Sequence, residues 1–268
     1  MMRTASRLES SLRVEGEVRL VPYVMAGYPD ARRSIELGRA YAAAGAAAVE
    51  VGIPFSDPLA DGPTVQRAGQ AALEGGMTVA GALEVASGIA REGVPVVVMT
   101  YVNPLFAYDA RRFAADAAAA GVAGVTIPDL PAEEAEPIAG WLRSAGLDTI
   151  FFAAPTSPPE RLELAGRISS GFVYCVTLTG VTGARAELGA GVAEFLGRVR
   201  RHTSLPLAAG FGISRPEHIR ALQGSADAAI VASALLDRVH RGEDSLPLMK
   251  ELASACRRGG SGAPPPPP

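Results

Sequence analysis

Residues 206–233 read PLAAGFGISRPEHIRALQGSADAAIVAS. Short apolar runs beginning near Pro206 and Asp227 flank a segment of helical period that opens at Ser214. A strand, a helix and a second strand in that order are the repeating unit of a parallel sheet. The same alternation runs back through the chain, with strand candidates starting near Leu20 (LVPYVMA), Ala47 (AAVEVGI), Pro95 (PVVVMTY), Val122 (VAGVTI), Asp148 (DTIFFAA) and Gly171 (GFVYCVT). Helix starts follow several of them: Pro29 and Asp30 after the first, Pro131 with Glu133 and Glu134 after the fourth, Pro158 and Pro159 after the fifth.

Eight such units predict a single α/β domain: a (β/α)8 TIM barrel of parallel strands with a short N-terminal helix, spanning residues 1–258. The competing architecture, an open doubly wound sheet, normally brings a glycine-rich dinucleotide turn after the first strand, and Ala26-Gly27-Tyr28-Pro29 is not one. Strand starts lie unevenly, with about 48 residues after the second and about 35 after the sixth against a barrel mean of ~30. The extra length falls in two βα segments, which rise at the C-terminal mouth where barrel chemistry is done.

Of the 268 residues, 48% are hydrophobic and 20% charged, which excludes a charge-dominated disordered chain. The tail at 259–268, GGSGAPPPPP, is low-complexity and is read as disordered. A net charge of −3 leaves no basic excess for nucleic acid, while a small phosphate ester remains open as a ligand. Cys175 and Cys256 offer neither metal-ligand spacing nor a disulfide framework, and no apolar run reaches the ~18 residues of a membrane span. These features point to a cytoplasmic protein.

In the second strand, period-2 alternation sets Val49, Val51 and Ile53 on one face and Ala48, Glu50 and Gly52 on the other. With the branched face toward the helices, Glu50 points into the barrel between small residues that leave room for a ligand. A poorly hydrated carboxylate there has a raised pKa and can give and take a proton near neutrality. The other reading of a buried Glu is a structural partner of an Arg. The following loop carries Asp57 and Asp61 among three prolines that limit its freedom, although Asp before Pro or Gly is also ordinary turn chemistry.

The opposite half offers glycine and threonine loops: 177–185 (TLTGVTGAR), 209–214 (AGFGIS) and the helix start at Ala232-Ser233. Glycines and orphan N–H groups at a helix start suit an anion, in the loops where β/α barrels commonly hold phosphate. The sole lysine, Lys250, lies outside every strand, so Schiff-base and covalent pyridoxal phosphate chemistry at the barrel mouth are excluded. His202, His218 and His240 fall on helices or their ends, not on strand termini, and are read as surface residues without a metal. Proton transfer by carboxylates on a phosphorylated substrate that supplies its own electron sink is what remains.

Val21-Pro22-Tyr23, the run from Glu50 to Pro63 (EVGIPFSDPLADGP), Pro128-Asp129-Leu130-Pro131, Gly180-Val181-Thr182-Gly183 and Gly210-Phe211-Gly212-Ile213-Ser214 together resemble the tryptophan synthase alpha subunit family over most of the barrel. The resemblance implies a carbon–carbon lyase of tryptophan biosynthesis that cleaves indole-3-glycerol phosphate to indole and glyceraldehyde 3-phosphate without cofactor or metal. It implies a tryptophan synthase beta subunit as partner, carrying pyridoxal phosphate, in an alpha-beta-beta-alpha assembly. Glu50 is then the general acid/base and Asp61 the acceptor of the indole N–H. Tyr23, Tyr101, Tyr174 and Thr182 line the substrate site, with simple core packing as the other reading of each tyrosine. Gly183, Gly212, Ala232 and Ser233 hold the phosphate, and the loops around Pro58 and Gly180 cover the site. Three positions depart from the family pattern: Ala232 stands where a glycine often precedes the phosphate-site serine, Leu178 replaces an arginine of some members, and Tyr23 stands where phenylalanine is frequent. A free-standing lyase and a non-catalytic barrel that activates a partner are the alternatives.

Overall fold

The computed structural model describes residues 4–176, 191–210 and 212–257. Thr182 and Gly183, with the rest of the Gly180 loop, Leu178 and the tail at 259–268, lie outside the described residues.

The strands are β1 (Arg19–Met25), β2 (Val49–Gly52), β3 (Val96–Met99), β4 (Gly124–Thr126), β5 (Asp148–Ile150), β6 (Phe152–Ala153), β7 (Val173–Val176), β8 (Leu207–Gly210) and β9 (Ala228–Val231). Their order in the sheet is β5-β4-β3-β2-β1-β9-β8-β7-β6, and every neighbouring pair is parallel. The two ends of that order, β5 and β6, are separated in sequence by Phe151 alone. One continuous segment therefore pairs with β4 along its first half and with β7 along its second, and the sheet closes into a ring of eight strand positions. At the switch the Phe151 N–H donates to Ser169 Oγ (3.2 Å), while the Phe151 carbonyl accepts from Tyr174 N (3.0 Å), so the ladder is interrupted without stranding a polar group. The expected barrel is present, and its fifth strand is split.

Helices α1 (Arg7–Leu12), α2 (Ala31–Ala43), α3 (Pro63–Glu74), α4 (Val79–Ala90), α5 (Val102–Tyr108), α6 (Ala110–Ala119), α7 (Ile138–Ser144), α8 (Pro159–Ile168), α9 (Gly191–Arg200), α10 (Pro216–Leu222), α11 (Ser233–His240) and α12 (Leu246–Ser254) complete the described chain. The long interval after β2 holds two helices, α3 and α4. Asp30 caps α2 by accepting from Arg33 N (2.8 Å), and Pro159 opens α8. After β4 the expected helix start at Pro131 gives only a 3-10 turn, Ala132–Glu134, and α7 begins after Pro137. The second proline has no N–H for a continuing helix, so the start signal is spent on one turn. Ser214 likewise is not the cap of α10, whose cap is Arg215; its N–H instead donates to His218 Nδ1 (3.2 Å). His218 is buried, contrary to its expected surface position.

Val49, Val51 and Ile53 pack outward with Leu83, Ile89 and Phe113, as the alternation predicts. Inside, Leu8 and Leu12 of α1 join Val21, Val97, Ile150, Phe172 and Ile230. Helix α1 therefore plugs the N-terminal end, tied by Ser6 Oγ donating to Asp148 Oδ2 (2.5 Å). The opposite end stays open for chemistry. Leu8→Ala, at a site with no exposure, is expected to cost about 2–5 kcal/mol, read as a lower urea midpoint at unchanged slope. A cost below about 1 kcal/mol would mean that α1 does not plug the ring.

Candidate active site

A cavity of about 380 Å³ opens at the C-terminal ends of the strands. Its walls include Glu50 and Tyr23 from neighbouring strands, Asp61 and Gly62 before α3, Tyr174 from β7, Gly210 and Gly212 at the end of β8, and Ala232 and Ser233 where α11 begins. Most residues singled out in the sequence thus converge on one space. Tyr101 does not line it: this buried side chain stands behind the Asp61 loop, where its hydroxyl accepts from Ala60 N (3.2 Å) and its ring meets Phe55 at 5.3 Å. Asp57 is exposed, accepts from Ser56 Oγ (2.5 Å) and lies outside the cavity, in keeping with its turn reading. The apolar lining of Met99, Phe152, Val65 and Ile230 was not singled out in the sequence. Met99 ends β3 and Phe152 opens β6, so period-2 strand phase was the signal available for them.

Glu50 is 1% exposed, and neither carboxyl oxygen has a regular hydrogen-bond partner or an Arg among the described residues. Burial pushes its pKa up to about 8, the nearby Asp61 charge adds to the rise, and the Tyr174 hydroxyl opposes both. The structural ion pair considered for this residue is therefore absent among the described residues. Asp61 is raised by burial to about 6, against a lowering hydrogen bond from Tyr101. At pH 7 Glu50 holds its proton while Asp61 has mostly lost its own. Tyr23 and Tyr174 are both pushed above the ordinary phenol range, chiefly by burial, with the two carboxylates contributing.

The room expected beside Glu50 is already taken. A Cβ on Gly52 would lie 1.8 Å from the Tyr23 hydroxyl, and one on Gly210 would lie 2.7 Å from Tyr174 Cε1. These glycines admit the two tyrosine rings, which in turn form the walls around the carboxyl group. Ligand space lies farther out, between the rings and the β8 and β9 ends.

There, Gly212 has φ +41°, a backbone conformation that favours glycine, and no atom of the described residues lies within 4 Å of its Cβ direction. Ala232 has φ −113°, not the positive φ that favours glycine, so the departure from glycine at this position does not force a left-handed backbone on an L residue. The Ala232 carbonyl accepts from Leu235 N (3.1 Å) and Leu236 N (3.0 Å), which starts α11 at Ala232 and Ser233, both of which line the cavity. A helix start beside a glycine turn can receive an anion.

The closed parallel ring with two shifted carboxylates at its C-terminal mouth defines a barrel enzyme of the acid–base class. Comparisons with known proteins narrow this. The family model for the tryptophan synthase alpha chain matches residues 10–258. The tryptophan synthase alpha chain of Roseiflexus sp. (strain RS-1) is 50% identical over 232 residues, covering 86% of this chain and 89% of that one. That of Chloroflexus aggregans is 46% identical over 263 residues, covering 95% and 97%. Among solved structures, tryptophan synthase from M. tuberculosis superposes with a TM-score of 0.87 at 37% identity, covering 95% of this chain and 100% of that chain. The chain belongs to the tryptophan synthase alpha chain family and is a lyase.

A carboxyl group whose folded pKa is raised binds its proton more tightly in the native than in the unfolded chain. The native state consequently loses stability as pH climbs from about 4.5 through about 8, and the loss is complete above that. It amounts to roughly 5 kcal/mol. Glu50→Gln is therefore expected to be more stable than wild type at pH 9 and close to it at pH 5, measured by urea unfolding. Equal stability at both pH values would contradict the buried-acid assignment.

Proposed function

We propose that the cavity cleaves indole-3-glycerol phosphate to indole and glyceraldehyde 3-phosphate, with Glu50 moving the protons. The observation that carries this reading is a buried, proton-holding carboxyl group with no Arg partner among the described residues, close to an ionised one, in a cavity that also reaches Gly212 and Ser233. Protonation of the indole ring carbon that bears the glycerol chain, by Glu50, puts positive charge on the ring nitrogen. Asp61 accepts the nitrogen's hydrogen bond and stabilises that charge. The ionised Glu50 then takes the proton of the adjoining chain hydroxyl. The hydroxyl oxygen forms the aldehyde, the carbon–carbon bond breaks, and its electron pair returns to the ring. Glu50 ends protonated, as it began.

The ring is the electron sink and the two carboxylates supply proton transfer and charge stabilisation, so the steps balance without a cofactor. The substrate phosphate rests against the Gly212 turn and the start of α11 at Ala232 and Ser233. Tyr23 and Tyr174 flank the ring, and Tyr101 acts through the Asp61 loop. Thr182 and Gly183 belong to the same proposal on resemblance alone.

A beta chain carrying pyridoxal phosphate, in a cytoplasmic alpha-beta-beta-alpha assembly, completes the proposal. Leu59 and Phe106 support such a partner: both are large apolar side chains left 91% and 55% exposed, on the segments that follow the neighbouring strands β2 and β3. Among the described residues no helix is long and apolar enough to cross a membrane.

Glu50→Gln is expected to lower turnover of indole-3-glycerol phosphate by ~10²–10⁴, or roughly 3 to 5 kcal/mol. Activity within about threefold of wild type would reject the assigned role. The pH profile of kcat/KM should be bell-shaped, rising as Asp61 ionises near 6 and falling as Glu50 loses its proton near 8. A flat profile between pH 5 and 9 would contradict it.

A further inference from the structure

Asp61 sits at the end of a loop that is largely exposed from Ser56 to Ala60, yet its carboxyl group has to be held against the cavity. On one side Tyr101 receives the Ala60 N–H. On the other, the chain turns into α3, and the first turn of that helix is fastened to α11 by two hydrogen bonds on a single residue. Thr64 Oγ1 donates to Asp237 Oδ1 (3.0 Å), and the Thr64 carbonyl faces His240 Nε2 (3.1 Å). A carbonyl only accepts, so Nε2 carries the hydrogen. In the neutral ring Nδ1 is then an acceptor, and the Tyr28 hydroxyl donates to it. The Tyr28 and His240 rings meet edge to face, 4.9 Å between centroids, which fixes the imidazole plane. Alongside this polar seam Leu236 of α11 packs on Val65 and Ala68 of α3, and Val65 itself lines the cavity.

We propose that Tyr28, His240 and Asp237 form a latch that positions Asp61 relative to the helix start at Ser233, with His240 as its central positioning residue. Helix α11 begins at the anion cradle with Ser233 and ends at His240, and Thr64 lies three residues beyond Asp61. One rigid helix thus spans from the phosphate-binding end of the proposed site to the segment that carries the charge-stabilising carboxylate. Its far end, and not its cradle end, sets where that segment starts. The inference rests on the lyase reading for its kinetic consequence, while its geometric consequence, the burial of Asp61, stands without it.

The test compares His240→Ala, His240→Gln and Tyr28→Phe in the full chain. A misplacement of about 1 Å in a group that acts only in the transition state lowers kcat roughly ten- to a hundredfold. That is the result expected for His240→Ala, with KM for indole-3-glycerol phosphate changed less than about threefold, since the substrate contacts are intact. Gln keeps an N–H for the Thr64 carbonyl and should restore most of the loss; Tyr28→Phe, which keeps the ring and removes only the hydroxyl, should fall between. Carbon NMR of the Asp61 carboxyl gives a readout that needs no turnover: its titration should move from about 6 toward the ordinary 3.8 in His240→Ala as the group gains water. Unchanged kcat together with unchanged Asp61 titration in both His240→Ala and Tyr28→Phe would overturn the latch, even with a lower melting temperature. Should His240→Ala not fold, Tyr28→Phe carries the test by itself. A wild-type chain inert toward indole-3-glycerol phosphate would overturn the lyase reading instead, and the Asp61 titration would still decide the latch.

Discussion

A buried carboxyl group with no Arg beside it is costly to ionise, and Glu50, with no ion-pair partner among the described residues, occupies such a place at the centre of the barrel mouth. The strand that carries it is fixed on both sides, in register with Tyr23 on β1 and Val97 on β3, so the side chain cannot swing away to solvent. The surroundings answer by keeping the proton on. Burial dominates, and the Asp61 charge pushes in the same direction. The same two influences that weaken the fold at high pH prepare an acid at neutral pH, a trade of stability for chemistry that active sites commonly show.

The rest of the mouth is arranged around that group. Gly52 and Gly210 have no side chains, so the Tyr23 and Tyr174 rings can approach β2 and β8 closely and form walls around the carboxyl group. Asp61 reaches the same cavity from a loop, held by Tyr101 on one flank and by α3 on the other. The glycine turn at Gly212 and the start of α11 are also among the walls, so proton transfer and anion binding can be served by a single ligand. The opposite end of the ring is filled by Leu8 and Leu12, which confines the chemistry to one face.

Much of this was legible in the sequence because it depends on period and position. Alternation along 47–53 sent Glu50 inward and the valines outward, and that is where they lie. The eight strand runs were all recovered, since each is short, apolar and bounded by turn residues. The split at Phe151 was not legible, because it arises from Ser169 on another element taking one ladder hydrogen bond. The start of α7 was misplaced because Pro131 is a sound helix opener, and only Pro137, six residues on, decides otherwise. The helix that carries His218 is legible in the sequence, but the Ser214 N–H that its ring receives is not, and so neither is its burial. Nor could spacing show that Tyr23 fills the room over Gly52, or that His240 meets Thr64, since those contacts join elements far apart in the chain.

The protonation state of Glu50 can be observed without any substrate, by infrared difference spectroscopy of wild type against Glu50→Gln. Burial without an ion-pair partner among the described residues predicts a protonated carboxyl band at pH 7 that disappears with a midpoint near 8. A carboxylate band already present at pH 7, titrating near the ordinary 4.5, would contradict the placement of this side chain and the acid–base role built upon it.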